Sequence, residues 1–319
     1  MRADLHVHSI HSEPRHYRRA GLRDCYASAA GVYAAARSAG MDLVTITDRD
    51  TIEGCLRLLD ERGDLSDFII GEEVEAGLPG SDLKVHVNVW GITESQHREI
   101  QRLRASVEEL MAYLRAEKVA SCFNHFVGTL PVDLPSAAIY RKVLGLFEAL
   151  EVRNGSQGRQ YNALVASLAV GEAAHRSPVA FIGGSDAHTL RRVGMTWTEA
   201  AASSREEFLR EIRAGRTTVG GRVGRTSDLV KDLGSLTLSH YAFLWDSIRG
   251  RGDGEPLSPS EIARAAALFP VQVIGAPIVA TAVCFWRVRG RARALQHEIA
   301  MLDLLDFREK MSTFPRATA

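Results

Sequence analysis

Short apolar, β-branched runs alternate with stretches of helical periodicity through most of the chain. The strand-like runs fall at 2–8, 42–47, 67–74, 84–90, 119–125, 148–153 and 179–184. Polar clusters with helix-start signatures lie between them. Asp50 with Glu53, Thr93 with Gln96 and Ser203 with Glu206 are each spaced as capping boxes. After Thr93 the residues Ile100, Leu103, Val107, Leu110 and Leu114 share one stripe, the spacing of a helix with one buried face. Strand–helix alternation of this length predicts an α/β fold with a largely parallel sheet, closed or doubly wound. Seven strand units favour a closed barrel, and barrels of this kind carry their chemistry at the carboxyl ends of the strands.

Polar residues gather at those ends. In the first strand, Asp4-Leu5-His6-Val7-His8, alternation puts His6 and His8 on one face, about 7 Å apart. Taken alone, two incidental histidines on a half-buried strand explain this as well as a pair of metal ligands does. The other strand ends change the balance. The second strand runs into Asp48-Arg49-Asp50, the third closes on Glu72 and Glu73, and the fourth holds His86. The fifth ends at Asn124-His125, the sixth at Glu151 and Asn154, and the seventh runs into Gly184-Ser-Asp186-Ala-His188. Imidazole or carboxylate groups at most strand ends point to a metal centre, and the mixed donor set suits zinc, manganese or iron. His11, His16 and His97 sit in loop or exposed helical contexts and read as surface groups. Asp48 reads as a residue that orients a neighbour or caps the next helix.

Composition narrows the class. Lys+Arg and Asp+Glu both total 39, so the formal net charge of zero offers no electrostatic case for an obligatory nucleic-acid partner. Cys25, Cys55, Cys122 and Cys284 have no close spacing, so neither a disulfide framework nor a CxxC zinc site is indicated. The chain enters a strand within three residues without a charged-then-apolar leader, so a cytoplasmic location is expected and the sequon Asn154-Gly-Ser156 is discounted. Gly220, Gly221 and Gly224 among arginines read as a domain boundary.

The motifs Asp4-Leu-His-Val-His-Ser9, Ile46-Thr-Asp-Arg-Asp-Thr-Ile52, Gly71-Glu-Glu73, the lone His125 and Gly184-Ser-Asp-Ala-His188 together resemble the PHP (polymerase and histidinol phosphatase) family, in its order and over about residues 2–220. The resemblance implies a distorted (β/α)7 TIM-like barrel, to which the change of texture beyond about residue 226 adds a C-terminal helical appendage. It further implies a phosphoesterase centre with two or three divalent ions (Zn, Mn or Fe). By motif, His6 and His8 would hold a first metal with Asp186. Glu73, with Glu72 as the near alternative, would bridge to a second held by His86 and His125. His188 would belong to a third position with Glu13 and the residue after Asp48. That residue is Arg49 where the family usually has histidine, and arginine cannot ligate a metal.

The implied function is an enzyme, a metal-dependent phosphoesterase of phosphatase or nuclease type, acting on a small phosphorylated substrate or nucleotide through a metal-activated hydroxide. Asp186 and His188 are its candidate catalytic groups. Arg49 is expected to reach into the mouth and clamp the phosphate with its planar fork of donors. The alternative is a metal-stabilised, non-catalytic binding or regulatory module tethered by its C-terminal helices. The barrel is expected over 1–226 and the helical region over 227–319. Leu236, Leu238, Tyr241, Phe243, Leu244 and Trp245 predict an aromatic-rich helix ending near Arg249, and Ser258-Pro-Ser-Glu261 opens another. Ala265 to Trp286 contains no charge and is followed by Arg287, Arg289, Arg291 and Arg293, but Pro270, Gln272, Gly275 and Pro277 interrupt it. A membrane surface, a homo-oligomer interface and packing on the barrel all suit this run. Leu295, Ile299, Leu302 and Leu305 form a last stripe that needs a partner surface.

Overall fold

The computed structural model describes residues 1–12, 23–79, 82–126, 143–175, 179–249 and 258–270, with isolated positions at 282, 286, 290 and 293. Nine strands form one sheet: β1 (Arg2–Asp4), β2 (Leu43–Ile46), β3 (Phe68–Gly77), β4 (Lys84–Trp90), β5 (Ala120–Phe123), β6 (Ala149–Asn154), β7 (Ala180–Gly184), β8 (Thr196–Glu199) and β9 (Thr218–Gly221). Their order is β7-β6-β5-β4-β3-β2-β1-β8-β9. The first seven occupy the expected runs. β8 and β9 form an antiparallel pair absent from the seven expected runs, and Gly220 and Gly221 lie inside β9.

The sheet bends round on itself into a nearly closed barrel. Beyond β1 and β7 the chain ends meet: Val7 bridges Ala187 in parallel, Asp186 N donates to His6 O at 2.8 Å, and His8 N donates to Ala187 O at 3.0 Å. Thr198 Oγ1 on β8 also exchanges hydrogen bonds with the Gly183 backbone of β7. Parallel pairing is incomplete, however. β4 runs antiparallel to both β3 and β5. The reversal sets the start of β4, with His86, at the same end of the barrel as the carboxyl ends of β1, β2, β3, β5, β6 and β7.

The helices are α1 (Ala29–Ser38), α2 (Glu53–Arg62), α3 (Glu94–Leu103), α4 (Val107–Ala116), α5 (Arg159–His175), α6 (Arg205–Arg213), α7 (Thr226–Ile248) and α8 (Pro259–Pro270). The Thr93–Gln96 capping box is present. The single stripe expected after it is split between α3 and α4, because Ser106 caps a new helix by accepting from Glu109 N. All five apolar residues of that stripe are buried. Asp50 does not cap α2: its Oδ1 accepts from Glu75 N at 2.8 Å and its Oδ2 pairs with Arg104 at 2.7 Å. The α6 cap sits one residue later than expected, on Ser204, while Ser203 bonds Glu207.

α7 docks on the rim of the barrel. Asp232 Oδ1 pairs with Arg191 at 2.7 Å and accepts from Thr189 Oγ1 at 3.1 Å, and its Oδ2 pairs with buried Arg192 at 2.8 Å. On the other flank, Tyr26 Oη lies 2.9 Å from His240 Nδ1. One helix thus fastens two rim loops, the one after β1 and the one after β7. Most of 265–286 and all of 295–305 lie outside the described residues; among those described, no helix is long and apolar enough to cross a membrane.

Candidate metal centre

Six strand ends deliver a cluster of imidazoles and carboxylates to one mouth. Two of the residues, Asp186 (φ 50°) and His125 (φ 21°), occupy the left-handed region that disfavours side chains, so the turns leaving β7 and β5 hold them against local preference. Close approach of β7 to β1 needs Gly184, because a side chain there would run into the Cβ and backbone of His6.

His6 is the hub. Its Nε2 lies 3.3 Å from Glu73 Oε1 and 3.5 Å from Asp186 Oδ1. His8 Nε2 lies 3.4 Å from Asp186 Oδ1 and 3.7 Å from Glu73 Oε2. His125 Nε2 and His86 Nδ1 are each 3.1 Å from Glu73 Oε1. Among the described residues two sets can hold an ion, His6/His8/Asp186 and His6/Glu73/His125, with their donor atoms all within 4.8 Å of one another.

These residues fit a divalent metal. The buried atoms His6 Nε2, His8 Nε2, Glu73 Oε2 and His188 Nδ1 have no hydrogen-bond partner, a costly arrangement without a further ligand. Donors around a four-coordinate ion at about 2.0–2.1 Å stand roughly 3.4 Å apart, which matches the spacing of His6, His8 and Asp186. The electrostatics agree. Burial opposes charge on His6, yet Asp186, Glu151 and Glu73 outweigh it and push the imidazole well above its usual range. The carboxylates therefore call for positive charge at this point, which a cation supplies while leaving the imidazole neutral to ligate. His8, by contrast, is pushed down to about 3 by burial and by the neighbouring His188, so it is a neutral donor.

A second layer orients the ligands. Glu151 Oε1 takes the Nδ1 side of His6 at 2.9 Å, while its Oε2 accepts from His125 N at 2.8 Å and from Asn154 Nδ2 at 3.0 Å. Asn154 Nδ2 also reaches Asp186 Oδ2, and Asn124 Nδ2 donates to Glu73 Oε1. His8 Nδ1 lies 3.1 Å from Ser12 Oγ. Asp48 orients a neighbour, as expected: both its oxygens accept from Ser9, through backbone N and Oγ at 2.5 Å each. Burial pushes Asp48 up to about 6 in spite of those hydrogen bonds.

The expected residues are thus placed as follows. His6, His8, Glu73, His86, His125, Asp186 and His188 converge. His188 stacks on His8 with ring centroids 4.4 Å apart, its Nε2 lying 3.4 Å from Asp186 Oδ1. Glu13 and His16 lie outside the described residues. Between the adjacent acids, Glu73 enters the mouth; Glu72 points to the opposite face, where it accepts from His97 Nδ1 at 2.9 Å and Gln101 Nε2 at 2.8 Å. His97 is accordingly a half-buried partner of Glu72 rather than a free surface group. Arg49 does turn inward and is buried, but acids occupy its guanidinium: Nη1 pairs with Asp24 at 2.7 Å and Nε lies 3.4 Å from Glu73 Oε2. Neither Asp24 nor the orienting role of Glu151 was anticipated. Glu151 stood at a strand end, a signal that could have found it, whereas Asp24 lies in a loop with no motif around it.

The family profile described as PHP-associated matches residues 169–217, the segment that carries Asp186 and His188. No curated protein sequence matches the chain. Among solved structures, PsfC from Pseudomonas syringae is similar at 18% identity, covering 69% of this chain and 91% of its own, with a TM-score of 0.50. A two-domain protein from Bacteroides vulgatus containing a predicted PHP-like metal-dependent phosphoesterase is 18% identical over 73% of this chain and 68% of its own, with a TM-score of 0.48. An amidohydrolase from Chromobacterium violaceum with bound sulfate is 17% identical, covering 68% and 97%, with a TM-score of 0.44. The ordered motifs, the profile match over 169–217 and the convergence of the motif residues on one barrel mouth make the chain similar to PHP proteins.

Proposed function

We propose that the protein is a metal-dependent phosphoesterase. The observation that carries this reading is the pair of overlapping donor sets sharing His6, with ligand atoms left unpaired toward one point. Bound there, divalent ions would supply Lewis acidity toward a phosphoryl oxygen and acidify a water for attack. The residues of the chain do the rest. Glu73 spans both donor sets through its two oxygens, and Glu151 holds His6 and His125 in place. The buried walls leave one open side, where His188 is 26% exposed, His125 15%, and His86 and Asp186 13% each. A phosphate ester approaches from that side, past His188, the most exposed of these groups. No serine nucleophile enters this scheme, since the attacking group is water.

The test is hydrolysis of aryl phosphate mono- and diesters by protein loaded with manganese, zinc or iron, followed by nucleotides and sugar phosphates. Expected is turnover that a chelator removes and added metal restores. Folded protein retaining its ions yet inert toward every ester would overturn the enzymatic reading in favour of a binding module.

A further inference from the structure

We infer that Arg49, anchored by Asp24, is a built-in cation that limits the centre to two metal ions and positions Glu73; this rests on the metal-centre reading above. The backbone makes the placement obligatory. Arg49 and Glu73 face each other as a parallel bridge between the ends of β2 and β3, with Glu73 N donating to Asp48 O at 3.1 Å and Asp50 N donating to Glu73 O at 2.8 Å. Arg49 N is also fixed, donating to Ser12 Oγ at 3.0 Å, and Ser12 Oγ in turn lies 3.1 Å from His8 Nδ1. From this base the side chain, only 6% exposed, reaches Asp24 at one end and Glu73 Oε2 at its Nε. The Asp24 loop is itself pinned to the ligand strand, since Cys25 Sγ donates to His8 O.

Three consequences follow. A guanidinium keeps its charge at every accessible pH, so the positive charge beside Glu73 Oε2 is permanent. A divalent ion close to it would meet like charge, whereas the His6/Glu73/His125 set gathers at the other oxygen of Glu73, Oε1, 3.1 Å from His125 Nε2. Finally, a guanidinium engaged by Asp24 and Glu73 and closed off from solvent is poorly placed to clamp substrate. Arg49 is therefore a positioning residue: it holds the carboxylate of Glu73 and offsets one of the two negative charges of Asp24 and Glu73, a service a further ion would otherwise render.

Equilibrium metal counting tests this without recourse to turnover. Wild-type protein, Arg49→Ala, Arg49→Lys and Arg49→Ala/Asp24→Asn are saturated with manganese or zinc, desalted, and counted by elemental analysis and native mass spectrometry, with circular dichroism to establish folding. The inference expects two ions in wild type and Arg49→Lys, three in Arg49→Ala, and two again in the double variant. A third ion in wild type with Arg49 intact, or two in folded Arg49→Ala, overturns it. Should Arg49→Ala not fold, Arg49→His is the substitute, with three ions expected and two fatal. Wild type that holds no metal would refute the metal centre itself, and this inference with it; two ions without esterase activity would refute only the enzymatic reading.

Discussion

Glu151→Gln isolates how much of the metal affinity comes from orientation rather than from direct ligation. The carboxylate touches both donor sets at once: one oxygen fixes the ring of His6, which is common to both, and the other takes the backbone N–H of His125 and the amide of Asn154. Glutamine conserves shape but offers only one acceptor oxygen. Whichever way the amide is turned, its NH2 meets either the Nδ1 side of His6 or two donors, so at least one contact becomes donor against donor. Loss of such an outer partner costs roughly 10- to 100-fold in metal affinity, about 1.4–2.7 kcal/mol. Because His6 serves both sets, the upper end is expected, near 100-fold for the weaker ion. Competition with a chromogenic chelator measures it. Glu72→Gln is the control: Glu72 is the adjacent acid, equally buried, but faces His97 and Gln101 on α3, so its affinity should stay within about threefold of wild type. Equal affinities for Glu151→Gln and wild type would sink the claim that Glu151 orients the ligands.

Other consequences concern the strap helix and the buried thiols. Asp232→Ala strips Arg192 of its closest ion pair while Asp228 remains 3.8 Å away, so about 2–4 kcal/mol should be lost, part of the usual 3–5 kcal/mol for breaking a buried pair. Calorimetry should show Tm falling by roughly 4–16 °C; a shift under about 2 °C would mean that α7 rests only loosely on the rim. Burial pushes the Cys25 thiol up to about 12, and Cys55 and Cys122 are raised by burial as well. At pH 8 iodoacetamide should therefore leave all three unmodified in the native protein and label them after unfolding, as peptide mass spectrometry would read; rapid native labelling of Cys25 would show that the loop beside His8 opens.

Much of the barrel was legible because burial on two faces leaves a strong trace. β2 and β7 read as apolar runs, and the Leu5/Val7 against His6/His8 alternation marked which side of the first strand looks into the mouth. Direction was not legible. β4 has the composition of any buried strand, and nothing within Lys84–Trp90 says that it runs antiparallel; only the hairpin with β3, with Glu75 opposite His86, decides that. β8 and β9 escaped notice for another reason. Thr196–Glu199 and Thr218–Gly221 are four residues each, mixed in polarity and rich in glycine at the end, so neither carries a hydrophobic period. Their place is set by tertiary partners, Thr198 against Gly183 and Arg2 against Glu199.

The centre itself divides along the same physical line. Candidate ligands were legible because metal chemistry restricts residue type and because strand ends fix position, so the residues of the two donor sets, His6, His8, His125 and Asp186 among them, stood out from motif and placement. The register of β3 chose between Glu72 and Glu73 only in three dimensions, since a single-residue slip exchanges the two faces. Outer partners carry no such restriction. Asp24 is one acid among 39, and what distinguishes it is that the loop holding it is brought beside Arg49, with Cys25 bonded to His8 O. The sequence marks Arg49 as a charge where the resembling motif has histidine, but whether that charge faces substrate or protein depends on Asp24, twenty-five positions away along the chain. A buried cation acquires its role from the anion that meets it, and that meeting is a property of the fold rather than of the motif.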